Sequence, residues 1–552
     1  MGGGKRGVQG GDRKYSDLLK IFGLRGRMRN MEDIIADMDL EKKIGQLMMI
    51  GFSGQDVTPG LREMIEEYHI GGVIYFARNL KHPAQVADLS RRLQELAMES
   101  TGVPLFISAD EEGGRVTRVP GMTHFPGAMA LGAADSPELT TRMARTKARQ
   151  LRYLGINFNL APVLDVNNNP DNPIIGVRSA GSSPEAVAAQ GCAYLNGLQQ
   201  EDVIACGKHF PGHGDTSVDS HLDLPVIEHE RERLGEVELK PFRKAIEAGI
   251  DSIMTAHIAF PAYTDSSELP ATLSREILTA LLRKELGFSG LIITDCMEME
   301  GIVKSSGTVE GAVRTIRAGS DQVLISHTPS LQLEAIKELK KAVESGAISR
   351  ERLDRSLKRI LKLKKSRLTW QEKPQYVEEQ FQEFFRQGYE VGEELSARAI
   401  TRAGKSDDVL PLELDDHSPI YYLNLTDETR TPVETPETDE EESHPLYRSL
   451  GNSLQEEGFK LTEDRCESEF NLVLMSSQPD SSRDRELLYE LAENNTPLVI
   501  ICTGSPYCVG ELPEAEVLLT YDDSPLHVQP LVDILQGRRE PAGRLPVELP
   551  AD

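Results

Sequence analysis

Cysteine is scarce in this chain, with six residues among 552 and no CxxC pair. That spacing indicates neither a disulfide framework nor a zinc site of paired thiolates. We therefore expect reduced, mostly buried thiols at Cys192, Cys206, Cys296, Cys466, Cys502 and Cys508.

Positive charge and long apolar runs are lacking too. The 61 Lys and Arg residues face 88 Asp and Glu residues, which gives a formal net charge of -27. Such a surface repels nucleic acid and anionic membranes, so neither is expected as a partner. No stretch of about twenty apolar residues is present, which excludes an ordinary membrane-spanning helix. Residues 1–30 are basic and glycine-rich but lack the apolar core of a secretion signal, so we expect a disordered leader and a cytoplasmic protein.

The length of the chain allows two domains, one of them a large barrel. Across residues 31–370, short apolar runs alternate with helical patterns, which is typical of repeated βα units. Eight such runs favour a closed (β/α)8 barrel of the TIM type in an α/β protein. The predicted strands are Leu47–Ile50, Val73–Phe76, Leu105–Ala109, Ile156–Leu160, Val203–Ala205, Ser252–Thr255, Leu291–Thr294 and Gln322–Ile325.

A polar, glutamate-rich stretch over residues 371–400 predicts a linker, and the composition of residues 401–552 then differs. Apolar runs that alternate with helical segments predict a smaller α/β sandwich domain there. The acidic, proline-broken run 427–443 is interpreted as a solvated surface loop. The predicted strands of this domain are Ile420–Leu423, Leu472–Met475, Leu498–Cys502 and Val517–Leu519.

Polar residues cluster directly after the predicted barrel strands, where the active sites of βα barrels lie. Charged groups follow five separate strands, in the segments SADEEGGRVTR, APVLDV with NPIIGVRS, GKHFPGHGDTSVDSHLDLP, TAHIAF and TDCMEMEGI. Side chains from five strand ends converge on one mouth, as a catalytic pocket requires.

Two features of these segments suggest acid–base and covalent chemistry. Asp295 ends the apolar strand LIIT, where a carboxylate is either an N-cap of the next helix or a nucleophile that forms a glycosyl ester. In the loop from Lys208 to Pro225, Asp219 and His221 stand two residues apart, so the carboxylate could orient the imidazole. A histidine with a pKa of about 6.5 can donate a proton to a leaving oxygen and later accept one from water. The alternative is a loop histidine that merely bonds to the backbone.

These segments resemble a known family. KHFPGHGDTSVDSHLDLP and IITDCMEMEGI are similar to two signatures of the β-N-acetylglucosaminidases of glycoside hydrolase family three, and DEEGGRVTR and NPIIGVRS are similar to its other barrel motifs. SARAITRAG, LVIICTGSPYCVGELP and DILQGRREPAGRLPVELP resemble its C-terminal α/β sandwich. The likeness therefore covers nearly the whole chain after Met31.

The resemblance implies a retaining exo-glycosidase that removes terminal β-linked N-acetylglucosamine from muropeptides or chitooligosaccharides, with no cofactor and no metal. It implies that Asp295 is the nucleophile and that His221, oriented by Asp219, is the acid/base. It further implies that the non-reducing sugar is bound by Asp110, Arg118, Arg178, Lys208 and His209. Charged side chains bind sugar hydroxyls more strongly than neutral ones, although each of these five could instead form an ion pair at the barrel rim.

The sequence departs from the family pattern at a few positions. Cys296 and Met297 follow Asp295 where the family often has Asp-Leu, and Glu111 replaces a frequent Gln. No Trp follows Asp295, which disfavours the β-glucosidase branch of the family.

The sequence leaves three alternative functions open. Phosphorolysis at the same site is one, because a histidine base tolerates incoming phosphate where a carboxylate base repels it. A sugar-binding protein with an inactive site is another. The third is a metal-dependent hydrolase, since one loop carries His209, His213, Asp215, Asp219 and His221. Pro211 within that loop prevents the helix that would place the first two histidines on one face.

Overall fold

The computed structural model describes residues 31–217, 224–368, 375–404, 406, 409–412, 418–426, 445–476, 482–493 and 496–549. The predicted leader 1–30, the acidic run 427–443 and the residues Asp219 and His221 lie outside the described residues.

The first eight strands form the predicted closed barrel, which is confirmed. Every neighbouring pair is parallel, and β1 pairs with β8 to close the ring. The strands are buried almost throughout, because helices cover the outside and side chains fill the inside. They are β1 Met48–Ile50, β2 Gly72–Tyr75, β3 Phe106–Ala109, β4 Phe158–Asn159, β5 Ile204–Phe210, β6 Ser252–Thr255, β7 Leu291–Cys296 and β8 Gln322–Ile325.

Helices connect these strands, and several begin with a cap that the sequence spells out. In the helix Pro184–Gln200, the Ser183 side chain accepts from the backbone N–H of Ala186, and the proline at the first turn needs no donor. The barrel helices are Met31–Asp37, Leu40–Gly45, Pro59–Glu66, Pro83–Ser100, Ala128–Ala134, Pro137–Tyr153, Pro184–Gln200, Arg231–Glu236, Leu239–Glu247, Pro261–Thr264, Glu276–Glu285, Glu300–Val303, Thr308–Ala318, Pro329–Glu344 and Arg350–Arg367.

A second, six-stranded sheet follows, with the order β11-β10-β12-β13-β14-β9 and only β9 antiparallel to its neighbour. The four predicted strands of this domain are present, and the two edge strands were not predicted because each has only two or three residues. The strands are β9 Thr401–Arg402, β10 Pro419–Leu425, β11 Lys460–Thr462, β12 Phe470–Met475, β13 Leu498–Cys502 and β14 Glu516–Leu519, and the helices are Pro445–Glu456, Ser482–Glu493 and Val528–Leu535.

One long helix, Glu378–Ala399, occupies most of the stretch that the sequence assigns to a linker. It packs on the barrel: the Gln150 side chain donates to the carbonyl of Phe384, and a Cβ at Gly388 would lie 2.4 Å from Thr123 Oγ1. Within the described ranges, no helix is both long and apolar enough to cross a membrane. All six cysteines carry free thiols, and Cys466 is the exposed one.

Candidate active site

The carboxyl ends of the barrel strands bring most of the predicted site residues to one mouth. Asp110 directly follows β3, Lys208 and His209 lie in the last part of β5, and Asp295 lies near the end of β7. Arg178 ends a short helical turn, Gly176–Arg178, in the connection after β4.

Four charged side chains form a continuous buried cluster in this mouth. Lys208 Nζ lies 2.7 Å from Asp110 Oδ1 and 2.7 Å from Glu112 Oε1. Arg178 binds the same Glu112 carboxylate with two nitrogens, at 3.0 and 2.8 Å. Asp110, Lys208 and Arg178, three of the predicted sugar-binding residues, therefore belong to one network. Glu112, which was not among the predicted residues, links the two cations, and we call it the cation bridge.

The charges in this cluster stabilise one another against burial. Burial opposes ionisation of Glu112, but Arg178 and Lys208 outweigh it and hold the pKa of that carboxyl well below its usual range. Burial likewise works against the charged form of Lys208, yet Asp110 and Glu112 raise the pKa of its ammonium above the usual range. The mouth thus keeps two cations and two carboxylates at fixed positions, ready to bind hydroxyl and amide groups.

Asp165, after β4, fixes the histidines of the next strand end. Its Oδ2 lies 2.7 Å from His209 Nδ1, and its Oδ1 accepts from the backbone N–H of His213 at 2.7 Å. Because an ionised carboxylate only accepts, His209 carries a proton on Nδ1. Burial is the main cause that lowers the pKa of His213 to about 4, and the neighbouring His209 is the second cause. His213 is therefore neutral at neutral pH.

Asp295 lies at the same end of the barrel as this cluster, because β5 and β7 both neighbour β6 in the ring. The buried thiol of Cys206 is influenced by the charges of Lys208, Asp110 and Asp295 together, although its burial is the main cause that raises its pKa to about 12. The helix after β7 begins at Glu300 with Met299 as its N-cap, so the alternative role of Asp295 as a helix cap is wrong.

The backbone N–H and carbonyl of Cys296, the residue after Asp295, are both hydrogen-bonded. The N–H of Cys296 donates to Asp295 Oδ1 at 2.7 Å, and His257 Nε2 donates to the carbonyl of Cys296 at 2.9 Å. The carboxylate of Glu298 accepts from the N–H groups of His327 and Thr328, at 2.7 and 2.9 Å. These hydrogen bonds hold the backbone at the carboxyl end of β7.

Arg118, the remaining predicted sugar-binding residue, is held through its backbone. Its N–H donates to Glu111 Oε2 at 2.8 Å, and the N–H of Val119 does so at 3.1 Å. Lys147 Nζ and the Tyr194 hydroxyl each donate to the carbonyls of Glu111 and Glu112 at 3.0 Å. Glu111 therefore stabilises the loop by accepting two backbone hydrogen bonds, which the side-chain oxygen of a Gln could also accept.

The predicted acid/base pair lies outside the described residues, but the chain on either side is described. Asp215 Oδ2 lies 2.6 Å from His229 Nε2, so residues before and after the loop are joined. Among the residues that the structure describes, no group of three or more His, Cys, Asp or Glu side chains is placed to hold a metal ion.

Sequence reasoning did not assign a role to Glu112, Asp165 or His257. Each lies in a segment that the strand-end pattern marks: DEEGG, APVLDV and TAHIAF. Their positions directly after predicted strands therefore marked these three residues as candidates. Their roles become visible only from the residues of other segments that they contact.

The cation bridge leads to a first prediction. Glu112→Gln should destabilise the protein by about 3–5 kcal/mol, because it leaves Lys208 and Arg178 buried with their shared carboxylate removed. Since the pKa of Glu112 is lowered in the folded protein, its contribution is present above the ordinary value of 4.5 and is lost as the pH falls below it. Urea unfolding at several pH values should therefore give a smaller acid-dependent loss in the variant than in the wild type.

Glu111→Gln is the matched control for that measurement. Its oxygen can still accept from the N–H groups of Arg118 and Val119, and burial already raises the pKa of this carboxyl above its usual value. An equal loss of stability in the two variants would contradict the role of the cation bridge.

Comparison with known proteins identifies the family of the chain. The profile of the Glycosyl hydrolase family 3 N terminal domain matches residues 39–363. Because the match covers more than half of the chain, the protein belongs to glycosyl hydrolase family 3.

Several relatives carry related names. Beta-hexosaminidase A of Pseudoalteromonas piscicida is 39% identical over 330 residues, which are 56% of this chain and 55% of that protein, so the chain spans about half of that relative's length. Beta-N-acetylglucosaminidase/beta-glucosidase of Cellulomonas fimi is 29% identical over 555 residues, covering 93% of this chain and 94% of that protein. The structure of a family 3 beta-N-acetylglucosaminidase from Paenibacillus sp. str. FPU-7 is 39% identical, with a TM-score of 0.83 over 93% of this chain and 99% of that one.

Proposed function

We propose that this protein is a retaining exo-β-N-acetylglucosaminidase that releases terminal N-acetylglucosamine from muropeptides or chitooligosaccharides. The observation that carries the proposal is the buried cluster of Asp110, Lys208, Glu112 and Arg178 at the barrel mouth where the strand end that bears Asp295 also lies. The cluster can bind the hydroxyl groups of one sugar, and the carboxylate beside it can attack that sugar's anomeric carbon. The names of the relatives support the choice of N-acetylglucosamine.

The first step of the proposed reaction forms a covalent intermediate. A carboxylate oxygen of Asp295 bonds to the anomeric carbon while the bond from that carbon to the leaving oxygen breaks. His221 gives its proton to the leaving oxygen, so the departing group is a neutral alcohol. Asp219 orients the imidazole and stabilises its charged form.

The second step reverses these roles. A water molecule bonds to the anomeric carbon as the ester bond to Asp295 breaks, and His221 takes the proton from that water. The enzyme returns to its starting state. Each step inverts the anomeric centre, so the product has the β configuration of the substrate.

A substrate comparison tests the proposal. The protein should hydrolyse an aryl β-N-acetylglucosaminide faster than the matching β-glucoside, and proton NMR should detect the β-anomer of N-acetylglucosamine before it mutarotates. An α-anomer as first product would contradict the retaining mechanism. Repeating the reaction with phosphate separates the two activities, because a sugar 1-phosphate as the main product would indicate phosphorolysis instead.

A further inference from the structure

A turn of the second domain contacts the barrel at the mouth. Asp522, which is 1% exposed, lies in this turn after β14. Its Oδ2 accepts from the backbone N–H of Gly127 in the barrel at 2.7 Å. Its Oδ1 accepts from the N–H of Ser524 at 2.9 Å and lies 2.9 Å from His527 Nε2. A buried carboxylate of one domain is therefore used to bind the backbone of the other.

A second contact and a close approach strengthen this junction. The Ser524 hydroxyl donates to the carbonyl of His124 at 2.5 Å. A Cβ at Gly114 would lie 2.9 Å from the Cα of Gly127 and 3.2 Å from the Cβ of Asp522. Gly114 also has a φ of +56°, so both its backbone conformation and its surroundings require glycine.

The barrel segment at this junction carries part of the proposed sugar site. We call residues 110–127, between β3 and the helix Ala128–Ala134, the β3 loop; it contains Asp110, Glu112 and Arg118. Its two ends are tied together, since the N–H of Gly114 donates to the carbonyl of Phe125 at 2.8 Å. His124 Nε2 also donates to the carbonyl of Gly114 at 2.7 Å. A displacement of the backbone at Gly127 should therefore also displace the end of the loop that bears Glu112.

A recess between the two domains brings the same groups together. Glu112 and Arg178 line it from the barrel, and Tyr521 and Asp522 line it from the second domain. The cation bridge and the interdomain carboxylate thus lie on walls of one recess.

We infer that Asp522 is a positioning residue of the sugar site, which acts through Gly127 and Gly114 to hold the β3 loop and its binding groups in place. The inference rests on the proposed function for the identity of the sugar. It gives the second domain a defined part in substrate binding, although the groups that touch the substrate belong to the barrel.

Kinetics of Asp522 variants test this role. Asp522→Ala should raise KM for an aryl β-N-acetylglucosaminide by about tenfold or more, because a misplacement of about 1 Å can cost on the order of 100-fold. Its kcat should change less, since Asp295 is carried by β7 and not by the β3 loop. Asp522→Asn keeps an oxygen that can accept from the N–H of Gly127 but turns an NH2 group toward the N–H of Ser524 and His527 Nε2, so its KM should lie between the wild-type value and that of Asp522→Ala.

Leu531→Ala is the control for a purely structural effect. Leu531 is buried in the core of the second domain, and its truncation should lower the melting temperature without altering the contacts of Asp522. A loss of folded protein lowers the apparent kcat and leaves KM unchanged. If Asp522→Ala lowers only kcat, in step with Leu531→Ala, the inference is overturned.

If the wild type does not hydrolyse this glycoside, the proposed function is contradicted, but the inference about Asp522 is not. Hydrogen exchange tests that inference without any turnover. Peptides covering the β3 loop should exchange faster in Asp522→Ala than in the wild type, and Leu531→Ala should leave them unchanged. Equal exchange of the β3 loop in Asp522→Ala and the wild type would overturn the inference.

Discussion

Asp295→Ala is expected to abolish turnover and to leave the fold intact. The proposed reaction needs this carboxylate to form the bond to the anomeric carbon, and no group can replace it in the variant. Loss of the nucleophile in a serine protease lowers kcat by roughly 10⁶-fold, so a fall of several orders of magnitude is expected here. The side chain is only partly buried at its strand end, so its removal leaves no large cavity.

The measurement needs a carboxylate control in the same barrel. Asp251 directly precedes β6, at the opposite end of the barrel, where it pairs with Arg367 at 2.9 Å. Asp251→Ala should reduce stability and leave kcat nearly unchanged. Circular dichroism should give the same spectrum for the two variants and the wild type. Near-normal turnover in a folded Asp295→Ala protein would remove Asp295 from the mechanism.

The barrel could be predicted because its strands repeat one simple pattern, yet the strand lengths could not. Strand β4 was predicted as Ile156–Leu160 but spans Phe158–Asn159. The side chain of Asn157 explains part of the difference, since its Oδ1 accepts from the N–H of Ile107 at 2.9 Å and its Nδ2 donates to the carbonyl of Leu105 at 3.1 Å. A side chain has replaced part of the backbone ladder, and apolar periodicity contains no signal for that.

Strand β5 differs in the other direction. The predicted run was Val203–Ala205, but the strand spans Ile204–Phe210 and includes Lys208 and His209. Both polar side chains are buried because each has a carboxylate partner from another strand end: Asp110 and Glu112 for the lysine, and Asp165 for the histidine. Local sequence preference thus fails at the candidate site, where function imposes charged residues on a strand.

The site itself was predictable as a set of positions and not as a set of contacts. The segment DEEGG places three acidic residues in a row after β3, and nothing local distinguishes them. In the fold, Asp110 contacts Lys208, Glu111 accepts from backbone N–H groups, and Glu112 bridges Lys208 and Arg178. The partners of Asp110 and Glu112 lie about 70 to 100 residues away in the chain, whereas Glu111 accepts from N–H groups seven and eight residues on, so only the tertiary structure separates the three residues.

His221→Ala should slow substrates with poor leaving groups much more than activated aryl glycosides. A departing sugar or alkyl oxygen needs a proton in the transition state, whereas a good aryl leaving group does not. A general acid contributes about 10²- to 10⁴-fold, so the loss on poor leaving groups should be large but incomplete. Asp219→Ala should give a weaker form of the same pattern if the carboxylate only orients the imidazole and stabilises its charge.

Added azide identifies the second role of the same histidine. In His221→Ala the glycosyl ester on Asp295 should form from an activated aryl glycoside and then persist, because no base activates the water. Azide needs no base, so it should speed release of the intermediate and give a β-glycosyl azide, which NMR can identify. Glu111→Gln, which leaves this step untouched, should show no azide acceleration. If His221→Ala slows good and poor leaving groups equally and azide restores nothing, His221 binds substrate or holds its loop, and the acid/base must be another side chain at the mouth.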